Sequence, residues 1–174
     1  MGWVADVPES LSTIAEIGIG LAGFAGIVFA IGYKSQPLDP LDRMRVIGML
    51  SGSLGVTLVA VLPLVLSDIG VAEQTVWRTS SAVFAAYMLT SLLYVLHASR
   101  SISQLAKSQL HPGVWIFVVS GSFVFALALV GNALGWPGTP SAGPYLAGLY
   151  FLLLYSSVQF LRLLLVRPAS RPAV

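Results

Sequence analysis

The chain has no cysteine and very little charge. Without thiols there is no disulfide framework, no thiolate metal site and no cysteine nucleophile, so one large class of site chemistry is closed at the outset. Charged residues are 9% of the 174, against roughly 25% in a soluble domain. Several catalytic signatures are missing as well. There is no HExxH spacing, no glycine-rich phosphate loop, and no pair of carboxylates inside an apolar run to serve as acid and base. Ser120-Gly121-Ser122 resembles a nucleophile setting only superficially, because no His or Lys lies at its depth, and small-residue packing explains it better. His97 and His111 belong at the ends of apolar runs with nothing nearby to complete a haem or metal site. The expectation is therefore a protein with no catalytic residues, no metal and no cofactor. A formal net charge of +2 forms no basic patch, so nucleic acid is not an expected partner.

What the chain does have is hydrocarbon. Hydrophobic residues make up 56% of it and the mean hydropathy is +0.86. A soluble bundle needs a polar face on each helix, and these segments are apolar all round. Crossing about 30 Å of hydrocarbon takes about 20 helical residues. Five runs qualify, approximately residues 14–33, 46–66, 76–97, 114–134 and 145–166. They lack the alternation of barrel strands, which leaves helices as the only way to span. The fold class is thus all-α: a polytopic bundle of five transmembrane helices, read as one domain over residues 1–174.

Local punctuation refines the runs. Asp39-Pro40-Leu41-Asp42 reads as an N-cap, a proline at the first helical position and an early carboxylate, so the second helix starts before its apolar part. Pro63 removes a donor late in that helix, freeing a carbonyl near Val59 and introducing a kink. The third helix extends past His97 along the apolar side of Ser99 to Leu110, and His111-Pro112-Gly113 ends it. Gly135 to Pro144 carries no charge and reads as non-helical, either a tight external loop or a lid dipping toward the membrane. Met1 to Ser10 lacks the cations of a cleavable signal, which makes the first helix a retained one.

Orientation follows from the cations. Lys34, Arg43, Arg45, Arg100, Lys107, Arg162, Arg167 and Arg171 share one side, while the other holds only Arg78 beside Asp6, Glu9, Asp68 and Glu73. Short loops rich in Lys and Arg stay in the cytoplasm, which puts the N-terminus outside and the C-terminus inside. Trp3, Trp77 and Trp136 at one boundary and Trp115 at the other fit interfacial belts. The expected location is the bacterial cytoplasmic membrane.

Three groups of residues are candidates for function. Gly18, Ala22, Gly26 and Ala30 recur every four residues, and Gly48 and Gly52 repeat the device in the second run. Such stripes let backbones approach closely, either within the bundle or between subunits. Glu16 is the one carboxylate inside an apolar run, and either caps the first helix with Thr13 or marks a ligand or ion site. Arg78 lies at a similar depth, where a pair with Glu16 would lessen the cost of both charges, and Asp68 and Asn132 arrive at the same level. These residues read either as ordinary interfacial polarity or as a vestibule for a cation or polar ligand. Gln159 is the deepest amide and needs a partner such as Ser156 or Ser157.

The sequence leads first to a non-enzymatic bundle that self-associates and serves as a small channel or membrane scaffold. The alternative is a carrier or sensor that binds a ligand between helices near the outer leaflet. Expected partners are membrane lipids, further copies of the chain and, as a further candidate, another membrane protein.

Overall fold

The computed structural model describes residues 7–32, 40–101 and 112–165. They form five α-helices, and no strand occurs among the described residues: α1 (Val7–Gly32), α2 (Pro40–Asp68), α3 (Glu73–Ser101), α4 (Pro112–Leu134) and α5 (Ala142–Leu165). Each is long and apolar enough to cross a membrane. Their outward surface is hydrocarbon-like too: Leu58 is 73% exposed, Leu93 67% and Phe24 63%. Monomeric soluble proteins rarely expose apolar surface on this scale. The protein is a multi-pass integral membrane protein.

Helices α2, α3, α4 and α5 pack in a cycle, and α1 lies along α2 and α5. The chain reverses tightly at the end of the bundle poor in cations. Gly70 and Gly135 each take the left-handed conformation, at φ 79° and 76°. At α2, Gly70 N donates to Ser67 O (3.0 Å) and Val71 N to Leu66 O (3.1 Å). At α4, Gly135 N donates to Asn132 O (3.2 Å) and Trp136 N to Gly131 O (2.9 Å). Both ends are Schellman caps, in which glycine is needed because a Cβ disfavours positive φ.

The packed core occupies this same half of the bundle. Leu11 and Ile14 from α1, Val56 and Ala60 from α2, Phe84 and Met88 from α3, Leu129 from α4 and Leu149 from α5 are all buried. Tyr145 packs against Trp77 and Phe84, with ring centroids at 5.8 and 5.4 Å. Its hydroxyl donates to Val59 O at 2.5 Å. Val59 O is the carbonyl that Pro63, inside α2, leaves without its usual helical donor. A side chain 86 residues away therefore meets the need that the proline creates.

Several expectations change. α1 begins at Val7, not near Ile14, with Pro8 and Glu9 in its first turn, where a missing N–H costs nothing and a carboxylate suits the helix dipole. Thr13 and Glu16 consequently lie well inside the helix and do not form a capping box. α5 begins at Ala142, so Pro144 is helical; as third residue it needs no intrahelical donor. Pro112 opens α4. The start of α2 at Pro40 agrees with the expectation. Asp39, Trp3, His111, the extension of the third helix over residues 102–110, and Lys34, Lys107, Arg167 and Arg171 lie outside the described residues.

Candidate ligand-binding site

The glycines show which helices touch. A Cβ on Gly18 would lie 2.6 Å from the Thr57 hydroxyl oxygen and 3.0 Å from Ser53 O, so α1 meets α2 at van der Waals distance there. Thr57 adds a hydrogen bond across that seam, donating to Ala15 O at 3.3 Å and to Ser53 O at 3.2 Å. A Cβ on Gly26 would meet nothing within 4 Å, Ala30 is exposed and Ala22 is half-buried. The stripe leaves the interface because a step of four residues turns the helix by about 400°, a drift of about 40° each time. Gly48 and Gly52 stay inside the bundle: a Cβ would fall 2.8 Å from the Tyr155 hydroxyl and 2.5 Å from Ser156 Oγ respectively. These two glycines seat α5 on α2.

Asn132 is buried and its amide is fully engaged. Nδ2 donates to Ser81 Oγ (2.8 Å) and Ser141 O (2.9 Å), and Oδ1 accepts from Ser141 N (3.0 Å). The side chain thus ties the α4–α5 connection down onto α3, and Pro140 is buried beneath it. Glu16, Asp68 and Arg78 are exposed. α1 packs on α2 and α5 while Arg78 belongs to α3, so Glu16 and Arg78 are not brought together, and no ion pair joins them among the described residues. Gln159 is half-buried beside the Tyr155 hydroxyl, with its Oε1 lacking a hydrogen-bond partner.

An opening lies elsewhere, toward the ends of α2, α3 and α5 that carry Arg43, Arg45, Arg100 and Arg162. A cavity of about 290 Å³ lies between α2 and α3 with α4 and α5 behind it. Met88, Leu92, Val118 and Leu152 are buried in its wall. Ile47, Ser51, Thr90 and Tyr94 line it and are exposed, which marks the mouth. Its upper limit is set by Tyr87, whose hydroxyl crosses from α3 to donate to Ser51 O at 2.6 Å. Gly55 makes room for that ring, since a Cβ there would collide with it. Tyr155 closes the rear.

The cavity is almost entirely apolar, and the hydroxyls of Ser51, Tyr87 and Thr90 at its edge are occupied. Thr90 donates to Ala86 O (2.8 Å) and Ser51 to Gly48 O (3.2 Å). Its chemistry is that of burial, with little directional polarity for orienting a reacting group. Of the residues singled out from sequence, Gly48, Gly52 and Ser122 line it. Tyr87, Tyr94, Tyr155 and Ser91 were missed; aromatic hydroxyls within apolar runs are the signal that marks three of them. Comparisons with protein-family models, curated proteins and solved structures return no match for this chain.

Proposed function

We propose that this is a non-enzymatic protein of the bacterial cytoplasmic membrane, N-terminus outside, that binds a small apolar ligand between its helices and acts as a sensor or carrier. The observation that carries this reading is the cavity between α2 and α3, whose 290 Å³ has an apolar wall and an exposed mouth. Pockets of this kind hold ligands mainly by close apolar packing, with a few polar groups for orientation. The site lies toward the cation-rich end, on the opposite side of the bundle core from Asp68, Arg78 and Asn132. At the core, fully buried Phe84, Tyr145 and Leu149 fill the space between the helices, which speaks against a wide aqueous path through a single bundle. The test is photolabelling in native membranes with a diazirine-bearing alkane. Labelled peptides should span Ile47 to Gly52 and Tyr87 to Val95, and Ser51→Phe should remove the label where Leu58→Phe, on exposed surface, does not. Uniform labelling of all exposed helix faces would count against the site.

A second reading, self-association as a small channel or scaffold, is favoured by one observation on α1. Gly20, Gly23 and Gly26 have open space at the Cβ position, so the bundle itself makes no use of their close-approach capacity. Disulfide crosslinking through single cysteines on that face, placed in a chain that has none, tests it: crosslinked dimers support the reading and persistent monomers oppose it.

A further inference from the structure

We infer that the ligand of this cavity is one acyl chain of an anionic phospholipid, entering sideways from the bilayer with its headgroup at the cation-rich end. The inference rests on the reading of the cavity as the binding site and adds the ligand's identity. Access is the first ground. The mouth residues Ile47, Ser51, Thr90 and Tyr94 all lie within the membrane-spanning parts of α2 and α3. What reaches such an opening is hydrocarbon.

Polarity is the second ground. The rim hydroxyls of Tyr87, Ser51 and Thr90 already donate to backbone carbonyls, leaving those protons unavailable to a polar ligand. A chain of methylenes asks for none. Size is the third. At about 30 Å³ for a water-sized group, 290 Å³ holds about ten chain carbons, part of one acyl chain and far less than a whole lipid.

Charge supplies the headgroup. Among the described residues, Arg43, Arg45, Arg100 and Arg162 belong to this end, against Asp42, and Arg78 to the other. Arg43 precedes Ile47 by four residues on α2, about 6 Å along the axis, and precedes Gly52 by nine, about 14 Å. A lipid with its phosphate at the level of Arg43 and Arg45 therefore brings its upper chain carbons to the cavity. Each Lys or Arg near the surface strengthens attraction to anionic lipid by about fivefold.

The experiment is native mass spectrometry of the full chain with phosphatidylglycerol or phosphatidylcholine of identical chains, alongside a phosphatidylglycerol carrying a photoreactive group on one acyl chain. Phosphatidylglycerol should be retained at least tenfold more strongly, and its chain should label Tyr87 to Val95. Arg43→Gln with Arg45→Gln should abolish the preference while the alkane probe still labels the cavity. Ser51→Phe or, should that variant misfold, Val95→Phe should remove the chain label. Equal retention of the two lipids overturns the anionic assignment and leaves the apolar site standing. Undiminished phosphatidylglycerol retention and chain label in both filled variants overturns the acyl-chain assignment, and loss of alkane labelling in the unmodified chain overturns the site itself.

Discussion

Replacing Tyr145 by phenylalanine isolates the bond that compensates for Pro63. The substitution keeps the ring and its packing on Trp77 and Phe84 and removes only the hydroxyl that donates to Val59 O. Pro63 has no N–H, so the carbonyl is left without a partner in a fully packed region. A buried acceptor orphaned in this way costs about 1–3 kcal/mol. The same change in a Pro63→Ala background should cost less, because residue 63 then donates to Val59 O within the helix. The cavity that Pro63→Ala opens appears on both sides of this comparison and cancels. Reversible unfolding in mixed micelles, followed by circular dichroism, measures the four variants. The two positions should couple by at least about 1 kcal/mol. Equal costs for Tyr145→Phe in both backgrounds would refute it.

Three further outcomes are expected. Asn132→Ala removes three hydrogen bonds that fasten the α4–α5 connection and should cost about 2–4 kcal/mol, with new protease sensitivity near Thr139, read by unfolding and limited proteolysis. Gly52→Val drives a side chain into Ser156 and should destabilise the bundle by at least about 1–3 kcal/mol, whereas Gly23→Val meets nothing and should leave monomer stability unchanged or slightly raised. Single cysteines at Thr139 and Ser170 should react with a membrane-impermeant maleimide from opposite sides, Thr139 from outside the cell; the reverse pattern would invert the N-out reading.

The class of fold was legible because membrane-spanning helices must satisfy their own backbone, so length and hydropathy alone reveal them. Pro40 marked the start of α2 correctly. Pro8 and Glu9 carried the same kind of signal for α1, and the pattern of Thr13 and Glu16 drew attention away from it. Pro144 was misread because a proline that breaks a helix interior is harmless in a first turn. Partnerships between helices were much less visible. The need for a donor at Val59 could be read from Pro63, but nothing local pointed to Tyr145. The α1 stripe looked like a single interface, yet the drift of about 40° at each step carries Gly26 off the face on which Gly18 meets α2. Asn132 stood out as polar in an apolar run, and its role emerged only with Ser81 and Ser141 folded beside it. The cavity depends on how α2, α3, α4 and α5 sit against one another, a property of packing with no signature in any single run.

Hydrocarbon from the bilayer is expected to occupy the space between α2 and α3. Crystals grown with phosphatidylglycerol brominated on its acyl chains test it directly through the anomalous signal of bromine. A bromine peak should appear lined by Ile47, Tyr87 and Leu92 and be absent from crystals of Ser51→Phe. Bromine confined to the outer circumference of the bundle, with Tyr87 and Tyr94 closed over the cavity, would contradict it.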